Sequence, residues 1–133
     1  MLTRETLPIR DQSDVVRIRH AVRALAIELR FSVVDQTKIV TAASELGRNT
    51  LIHGKGGHCV LGVLEQDGRK GLVLTFEDSG PGIADIQQAL RDGFTTGDGM
   101  GLGLGGARRL MSEFEVDSTP GKGTRVRVIR WNP

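Results

Sequence analysis

Residues 44–49 read SELGRN and place Glu45 four positions before Asn49. Apolar residues around this stretch recur at steps of three and four, which predicts a helix over about 35–52 whose buried side carries Ile39, Ala42, Ala43 and Leu46. Residues four apart lie on one helix face, about 5–6 Å apart at Cβ. Glu45 and Asn49 therefore face the same way, although an isolated pair of this kind is more often an exposed polar pair on a surface helix.

The composition indicates one soluble domain, residues 1–133, long enough to bury a core. A net charge of +2 is too small to indicate a polyanionic partner. One Trp and no Tyr also leave the basic residues without the aromatic neighbours of a single-strand binder, so nucleic acid is not expected. No apolar run approaches the ~20 residues of a membrane span, and the N-terminus lacks a signal peptide's apolar core, which favours the cytoplasm.

The segments on either side of 35–52 alternate between helical and strand-like patterns. Helices are predicted over 13–29, 84–91 and 104–113, a glycine-rich loop over 92–103, and strands over 5–10, 58–66, 70–77, 114–118 and 124–131. These elements predict an α+β fold, a two-layer sandwich with helices on one face of a mixed sheet.

The last predicted strand carries three arginines among its valines. Arg125, Arg127 and Arg130 intersperse with Val126 and Val128. We interpret the three arginines as the solvated face of that strand. Cys59, the single cysteine, has apolar neighbours and is predicted to be a buried thiol.

Asp78 follows an apolar strand and precedes Gly80 and Gly82. An aspartate at a strand end can accept a hydrogen bond from an exocyclic amine such as that of adenine. Glycines just beyond it let the backbone pass close to a flat ring. An ordinary Asp-Ser-Gly turn is the alternative, and the spacing is only moderately specific.

Residues 99–106 read GMGLGLGG and lead into a predicted helix. Gly101, Gly103 and Gly106 match a dinucleotide fingerprint in form, but no predicted strand precedes them and no βαβ unit surrounds them. The Gly-Lys-Ser/Thr of a Walker loop is also missing. Free amides at the helix start could receive phosphate oxygens, and the glycines would suit a lid over nucleotide.

Together these motifs indicate a site for a Mg²⁺-nucleotide whose terminal phosphoryl group is transferred. Glu45 could accept a hydroxyl proton, and the amide oxygen of Asn49 could bind Mg²⁺, which prefers oxygen ligands. His53 and His58 are too isolated for a metal site, and we interpret both as structural.

The order of these motifs resembles the four nucleotide motifs of the GHKL ATPase and kinase superfamily over roughly residues 10–131. Their positions are Glu45…Asn49, Asp78-x-Gly80-x-Gly82, Gly99-x-Gly101-x-Gly103 and 121–124. The resemblance implies the Bergerat fold, an α/β sandwich that binds ATP without a Walker loop. The small size and residues 52–54 are similar to the anti-sigma serine kinases, whereas Arg48 and residues 101–111 are most similar to the RsbT-type switch kinases of bacterial stress signalling.

The resemblance also implies a role for each matched residue. Glu45 corresponds to the catalytic base, Asn49 to the Mg²⁺ ligand and Asp78 to the acid that reads adenine. The further nucleotide-binding positions implied are Gly80, Gly82, Gly99, Gly101, Leu102, Gly103, Leu104, Gly105 and Thr124.

The implied function is an ATP-dependent serine/threonine protein kinase of a bacterial partner-switching pathway. Its implied substrate is a STAS-domain antagonist protein, and a PP2C-type phosphatase is a second implied partner. One alternative is an anti-sigma factor kinase that sequesters a sigma factor. Another is a nucleotide-gated binding module with vestigial kinase activity, which the intact Glu45 argues against.

Overall fold

The computed structural model describes residues 1–83 and 104–132 of the chain. The described elements, in chain order, are β1 Leu2–Ile9, α1 Gln12–Glu28, α2 Val33–Ile52, β2 Gly57–Gln66, β3 Arg69–Asp78, α3 Leu104–Leu110, β4 Glu113–Thr119 and β5 Gly123–Asn132. The helix predicted over 84–91 and the loop predicted over 92–103 lie outside the described residues. Within 1–83 and 104–132, no helix has the length and apolar character needed to cross a membrane.

The five strands form one sheet in the order β1-β2-β3-β5-β4. The predicted α+β sandwich is confirmed, but every described strand pair is antiparallel, whereas a mixed sheet was expected. The connection between β1 and β2 explains the difference. It runs through two helices, α1 and α2, so the chain returns to the end of β1, where Gly57 pairs with Ile9. If a single helix connected the two strands, the chain would arrive at the start of β1, and β2 would run parallel to β1.

Both long helices begin at a side-chain cap. Asp11 caps α1 by accepting a hydrogen bond from the backbone N–H of Asp14, and Ser32 caps α2 by accepting one from that of Asp35. The carboxylate of Asp14 is 2% exposed and accepts hydrogen bonds from the side chain and the backbone N–H of Arg10, which lower the pKa of Asp14 below its usual range. This cluster fixes the passage from β1 into α1.

The helices cover one face of the sheet, which we call the inner face. Cys59 lies in the core beneath them, and burial raises the pKa of its thiol, so the prediction of a buried cysteine is confirmed. Because side chains alternate along a strand, the same strands also present an outer face away from the helices. The largest fully buried side chains of the core include Ile9, Ile18, Ile39, Leu46, Leu61, Leu72, Leu74 and Phe76.

A small second cluster lies on the outer face. Val73, Ile129 and Trp131 are buried there, with Leu64 packed against them. The indole of Trp131 lies across Gly71, where an added Cβ would be 2.9 Å from its Cε3 atom. The guanidinium of Arg69 lies 4.7 Å from the centre of the indole ring.

Candidate functional site

The last turns of α2 carry polar side chains on one helix face. Glu45, Asn49 and His53 follow each other at intervals of four residues. Asn49 is only 7% exposed, and its Oδ1 atom is buried without a hydrogen-bond partner among residues 1–83 and 104–132. The Nε2 atom of His53 is likewise buried without a hydrogen-bond partner among these residues. Since a buried polar atom without a partner costs about 1–3 kcal/mol, two such atoms on adjacent turns indicate a place prepared for a ligand.

Glu45 lies one turn before Asn49 and is half-buried. No residue of the described part of the chain forms a hydrogen bond or ion pair with its carboxylate. The carboxylate is therefore available to accept a proton from an incoming group. The structure brings Glu45 and Asn49 together as their spacing predicted.

Gly47, between these two residues, packs α2 against its neighbours. An added Cβ would lie 3.4 Å from a methyl group of Val15 in α1 and 3.9 Å from the ring of Phe76. These are ordinary contact distances, so alanine would fit at this position.

Asp78 ends β3 and pairs with Gly57 of β2 on one side and Thr124 of β5 on the other. Its Oδ1 atom accepts a hydrogen bond of 2.9 Å from the backbone N–H of Gly80. Its carboxyl group lies against the end of α2, since an added Cβ on Gly54 would be 2.3 Å from Cγ of Asp78. Only a residue without a side chain leaves room for the carboxylate here.

Two more close approaches complete this glycine cradle, which we define as Gly54, Gly80 and Gly123 around Asp78. An added Cβ on Gly80 would lie 2.8 Å from Cα of Gly54, and one on Gly123 would lie 2.1 Å from the carbonyl oxygen of Asp78. The sequence resemblance included Gly54 and Gly123 only as parts of residues 52–54 and 121–124, and it assigned neither glycine a contact with Asp78. Their contacts depend on which strands are neighbours, and a single sequence does not report that.

A hydroxyl network holds the segment after Asp78 against the last two strands. The Oγ atom of Ser118 accepts a hydrogen bond of 2.8 Å from the backbone N–H of Ile83 and lies 2.8 Å from Oγ1 of Thr124. Thr124 is 7% exposed. Nearby, an added Cβ on Gly82 would lie 2.4 Å from the carbonyl oxygen of Thr119. Thus Thr124 and Gly80 lie next to Asp78, whereas Gly82 lies against the turn that follows β4.

The end of α2 joins the two halves of the site. The backbone N–H groups of His53 and Gly54 donate to the carbonyl oxygen of Asn49 at 2.9 and 3.2 Å. The helix turn that carries Asn49 is therefore followed directly by Gly54, against which the carboxyl group of Asp78 packs. Leu104 and Gly105, also predicted site residues, are buried at the start of α3, which packs on α2. Gly99, Gly101, Leu102 and Gly103 lie outside the described residues.

The outer face behind Asp78 is charged. Glu77 lies 3.6 Å from the guanidinium of Arg125 and 3.8 Å from the imidazole of His58. Cavities of about 330 and 240 Å³ open beside this strand end, the larger lined by residues 54–58 and 77–80. His58 thus lies on the outer face, whereas His53 lies one turn after Asn49 at the end of α2. The sequence did not separate the two histidines, because a lone histidine gives no signal of its burial.

Residues 34–132 match the family described as histidine kinase-, DNA gyrase B-, and HSP90-like ATPase. The chain is 44% identical over 118 residues to Serine/threonine-protein kinase RsbT of Bacillus subtilis (strain 168), covering 89% of each protein. It is 35% identical over 118 residues to Anti-sigma F factor of Thermoanaerobacter sp. (strain X514), covering 85% of this chain and 82% of that protein.

A solved structure of the RsbU and RsbW domains of Rv1364c from Mycobacterium tuberculosis has a similar fold. The TM-score is 0.62 at 22% sequence identity, over 98% of this chain. The chain spans 34% of that longer protein. At this identity the likeness establishes the fold.

Proposed function

Because the chain belongs to the family of histidine kinase-, DNA gyrase B- and HSP90-like ATPases, we propose that its site transfers the terminal phosphoryl group of ATP to a serine or threonine of a partner protein. The 44% identity to a serine/threonine-protein kinase supports this activity over simple ATP hydrolysis. The observation that carries the proposal is the buried Oδ1 atom of Asn49, one turn from the carboxylate of Glu45, with neither group paired by residues 1–83 or 104–132. The proposed kinase domain comprises residues 1–133, and its proposed location is the cytoplasm.

Asp78 would bind the adenine base. One of its oxygens is already engaged by the N–H of Gly80, and the carboxylate still has acceptor capacity for the exocyclic amine. The glycine cradle fixes this carboxylate and removes the side chains that would obstruct a flat ring. Guanine carries a carbonyl where adenine carries its amine, so the same carboxylate would disfavour GTP.

The phosphate end of the nucleotide would lie along α2. Asn49 offers a neutral, buried oxygen, which suits Mg²⁺, a hard cation that binds few protein oxygens together with substrate phosphates. When bound, the ion would neutralise charge on the phosphates. His53, one turn further on, would place its unpaired Nε2 atom against the nucleotide. We assign the remaining contacts to Gly80, Gly82, Thr124, Leu104, Gly105 and the predicted residues Gly99, Gly101, Leu102 and Gly103.

Glu45 performs the proton chemistry in this proposal. Its carboxylate accepts the proton of the partner's hydroxyl group and holds that oxygen in line with the phosphoryl group. A pure binding module would have no use for a free carboxylate at this position. The helix supplies the geometry, since Glu45 and Asn49 are fixed one turn apart on a rigid element.

We propose a STAS-domain antagonist protein as the substrate and a PP2C-type phosphatase as a second partner. The chain then acts in a bacterial partner-switching pathway. A second candidate function, sequestration of a sigma factor, is supported by the 35% identity to Anti-sigma F factor. The higher identity to RsbT favours the first.

The test incubates the chain with Mg²⁺, radiolabelled ATP and a STAS-domain protein from the same genome. We expect label on a serine or threonine of that protein, and a loss of about 100-fold or more in transfer rate for Glu45→Gln with nucleotide affinity retained. Undiminished transfer by the variant would remove Glu45 as the base. Nucleotide binding without transfer by the unaltered chain would favour a nucleotide-gated module, and capture of a sigma factor would favour the second function.

A further inference from the structure

Arg130 differs from the other arginines of β5. Its sequence neighbours Arg125 and Arg127 lie on the outer face, as predicted for a solvated strand face, but Arg130 stands an odd number of residues away from them. It pairs with Leu72, a fully buried residue of the inner face. The prediction that Arg130 belongs to the solvated face is therefore wrong, and its side chain is only 21% exposed.

The guanidinium of Arg130 bridges two helices. One nitrogen donates a hydrogen bond of 3.0 Å to the carbonyl oxygen of Leu110, the last residue of α3. Another donates one of 2.8 Å to Oδ1 of Asp35, in the first turn of α2. A cation at a helix C-terminus and an anion at a helix N-terminus both match the helix dipole, so each contact is favourable.

Other bonds already tie the end of α3 to the sheet. The backbone N–H of Ser112 donates to the carbonyl oxygen of Ile129 at 2.8 Å, and the Oγ atom of Ser112 accepts from the N–H of Trp131 at 3.0 Å. Arg130 is therefore not needed to attach this segment to β5. What the side chain adds is the link from α3 to α2 through Asp35.

The relative placement of these two helices matters for the proposed site. α2 carries Asn49, and α3 begins with the proposed nucleotide residues Leu104 and Gly105. At 1.5 Å per residue α3 is about 10 Å long, so a tilt of about 10° at one end moves the other by ~2 Å. A misplacement of about 1 Å in a reacting assembly can cost ~100-fold.

We propose that Arg130 is a positioning residue: by joining the end of α3 to the start of α2, it sets the affinity of the site for the phosphate end of ATP. The inference rests on the proposed function, because it assigns α3 to the phosphates. Asp78 and Thr124, which would bind adenosine, lie at the far end of the inner face from the Arg130 link. The adenosine end should therefore be insensitive to Arg130.

The test compares ATP with AMP in calorimetric titrations of Arg130→Lys, Arg130→Gln and Asp35→Asn. We expect Arg130→Gln and Asp35→Asn to weaken ATP about 10-fold and AMP by less than about twofold. Arg130→Lys should recover part of the loss, because an ammonium can reach Asp35 but lacks the planar fork that holds both partners. Arg127→Gln, on the same strand but the outer face, is the matched control and should change neither affinity.

Asp35→Asn decides whether Arg130 positions α3 against α2 or only caps the C-terminus of α3. It weakens the link to α2 but leaves the hydrogen bond from Arg130 to the carbonyl oxygen of Leu110 in place. Unchanged ATP affinity in Asp35→Asn, or equal losses for ATP and AMP, would overturn the positioning role. If Arg130→Gln does not fold, Arg130→Lys and Asp35→Asn still give the answer. If the unaltered chain bound neither nucleotide, the proposed function itself would fail. Failure of this inference alone would instead show as ATP binding by the unaltered chain that the substitutions leave unchanged or weaken equally with AMP.

Discussion

The two ends of α2 differ in how completely their polar side chains are paired. At the start of the helix they are paired: Ser32 accepts from the N–H of Asp35, Asp35 binds Arg130, and the hydroxyl of Thr37 donates to the carbonyl oxygen of Val33. At the end, the hydroxyl of Thr50 donates to the carbonyl oxygen of Leu46, but the Oδ1 atom of Asn49 and the Nε2 atom of His53 are buried without hydrogen-bond partners in the described part of the chain.

We therefore interpret the start of α2 as an anchor and its end as part of the proposed binding surface. Paired polar groups contribute to stability, whereas unpaired buried groups lower it and persist where a ligand uses them. Substitutions at the start of α2 should therefore lower stability and leave activity unchanged. Substitutions at its end should lower activity and leave stability unchanged or higher.

The largest effect is expected for Asn49→Leu. The change removes the proposed oxygen ligand and should lower Mg²⁺-dependent phosphoryl transfer by about 100-fold. Because it also removes a buried atom without a partner, the free energy of unfolding should stay constant or rise by about 1–2 kcal/mol. Transfer assays and urea denaturation measure the two quantities. An unchanged transfer rate together with lower stability would show that Asn49 stabilises the fold and does not bind Mg²⁺.

Gly54→Ala should come next in size. The new methyl group would occupy the position of the Asp78 carboxyl group, 2.3 Å from Cγ, and displace it. We expect ATP affinity to fall about 10-fold or more, since a charged hydrogen bond is worth about 1.5–3 kcal/mol. Isothermal titration with ATP measures the loss.

The matched control for that change is Gly47→Ala, inside α2. Its methyl group would make ordinary contacts with Val15, so ATP affinity should be unchanged. The free energy of unfolding should rise by up to about 1 kcal/mol through helix propensity. Equal binding losses in the two variants would show that the cradle around Asp78 is not the cause.

A smaller effect is expected for His53→Phe, which keeps a ring and removes the unpaired nitrogen. ATP affinity should fall about threefold to tenfold, while the free energy of unfolding should not decrease. His20→Gln, at an exposed position of α1, serves as the control and should bind ATP normally. A His53→Phe variant that binds ATP as tightly as the original chain would return His53 to a structural role.

The smallest effect on the site is expected at the anchored end. Ser32→Ala should lower the free energy of unfolding by about 1 kcal/mol through loss of the cap, with phosphoryl transfer unchanged. Ser32→Asp should restore stability, because an aspartate also caps a helix. Thermal denaturation measures the change in the free energy of unfolding. A transfer rate that falls in Ser32→Ala would contradict the division of α2 into two ends.

The sequence predicted the elements that have strong local signals. The Asp67-Gly68 pair between β2 and β3 is a typical hairpin signal, and both residues are left-handed there, with φ of 54° and 76°. Helix periodicity located α1 and α2 within one or two residues at their starts. Glu45 and Asn49 came together because a helix fixes their spacing.

What the sequence did not predict depends on long-range arrangement. The strand directions followed from the return of α2 to the end of β1, and the glycine cradle from which strands became neighbours. Arg130 was predicted on the wrong face because the three arginines of β5 were treated as one group. Arg130 lies three residues after Arg127, and an odd separation along a strand places two side chains on opposite faces. Nothing in the sequence indicated the role proposed for His53, since that role rests on an atom that is buried without a partner in the described part of the chain.

The packing of Trp131 gives the protein a built-in optical probe. It is the single tryptophan of the chain, and tyrosine is absent, so the near-ultraviolet emission of the protein comes from one indole. That ring is 9% exposed, next to the Arg69 guanidinium, and its own backbone N–H binds Ser112 just after α3. A shift of its fluorescence on addition of nucleotide would report, without any label, movement transmitted from the helices to the opposite face of the sheet.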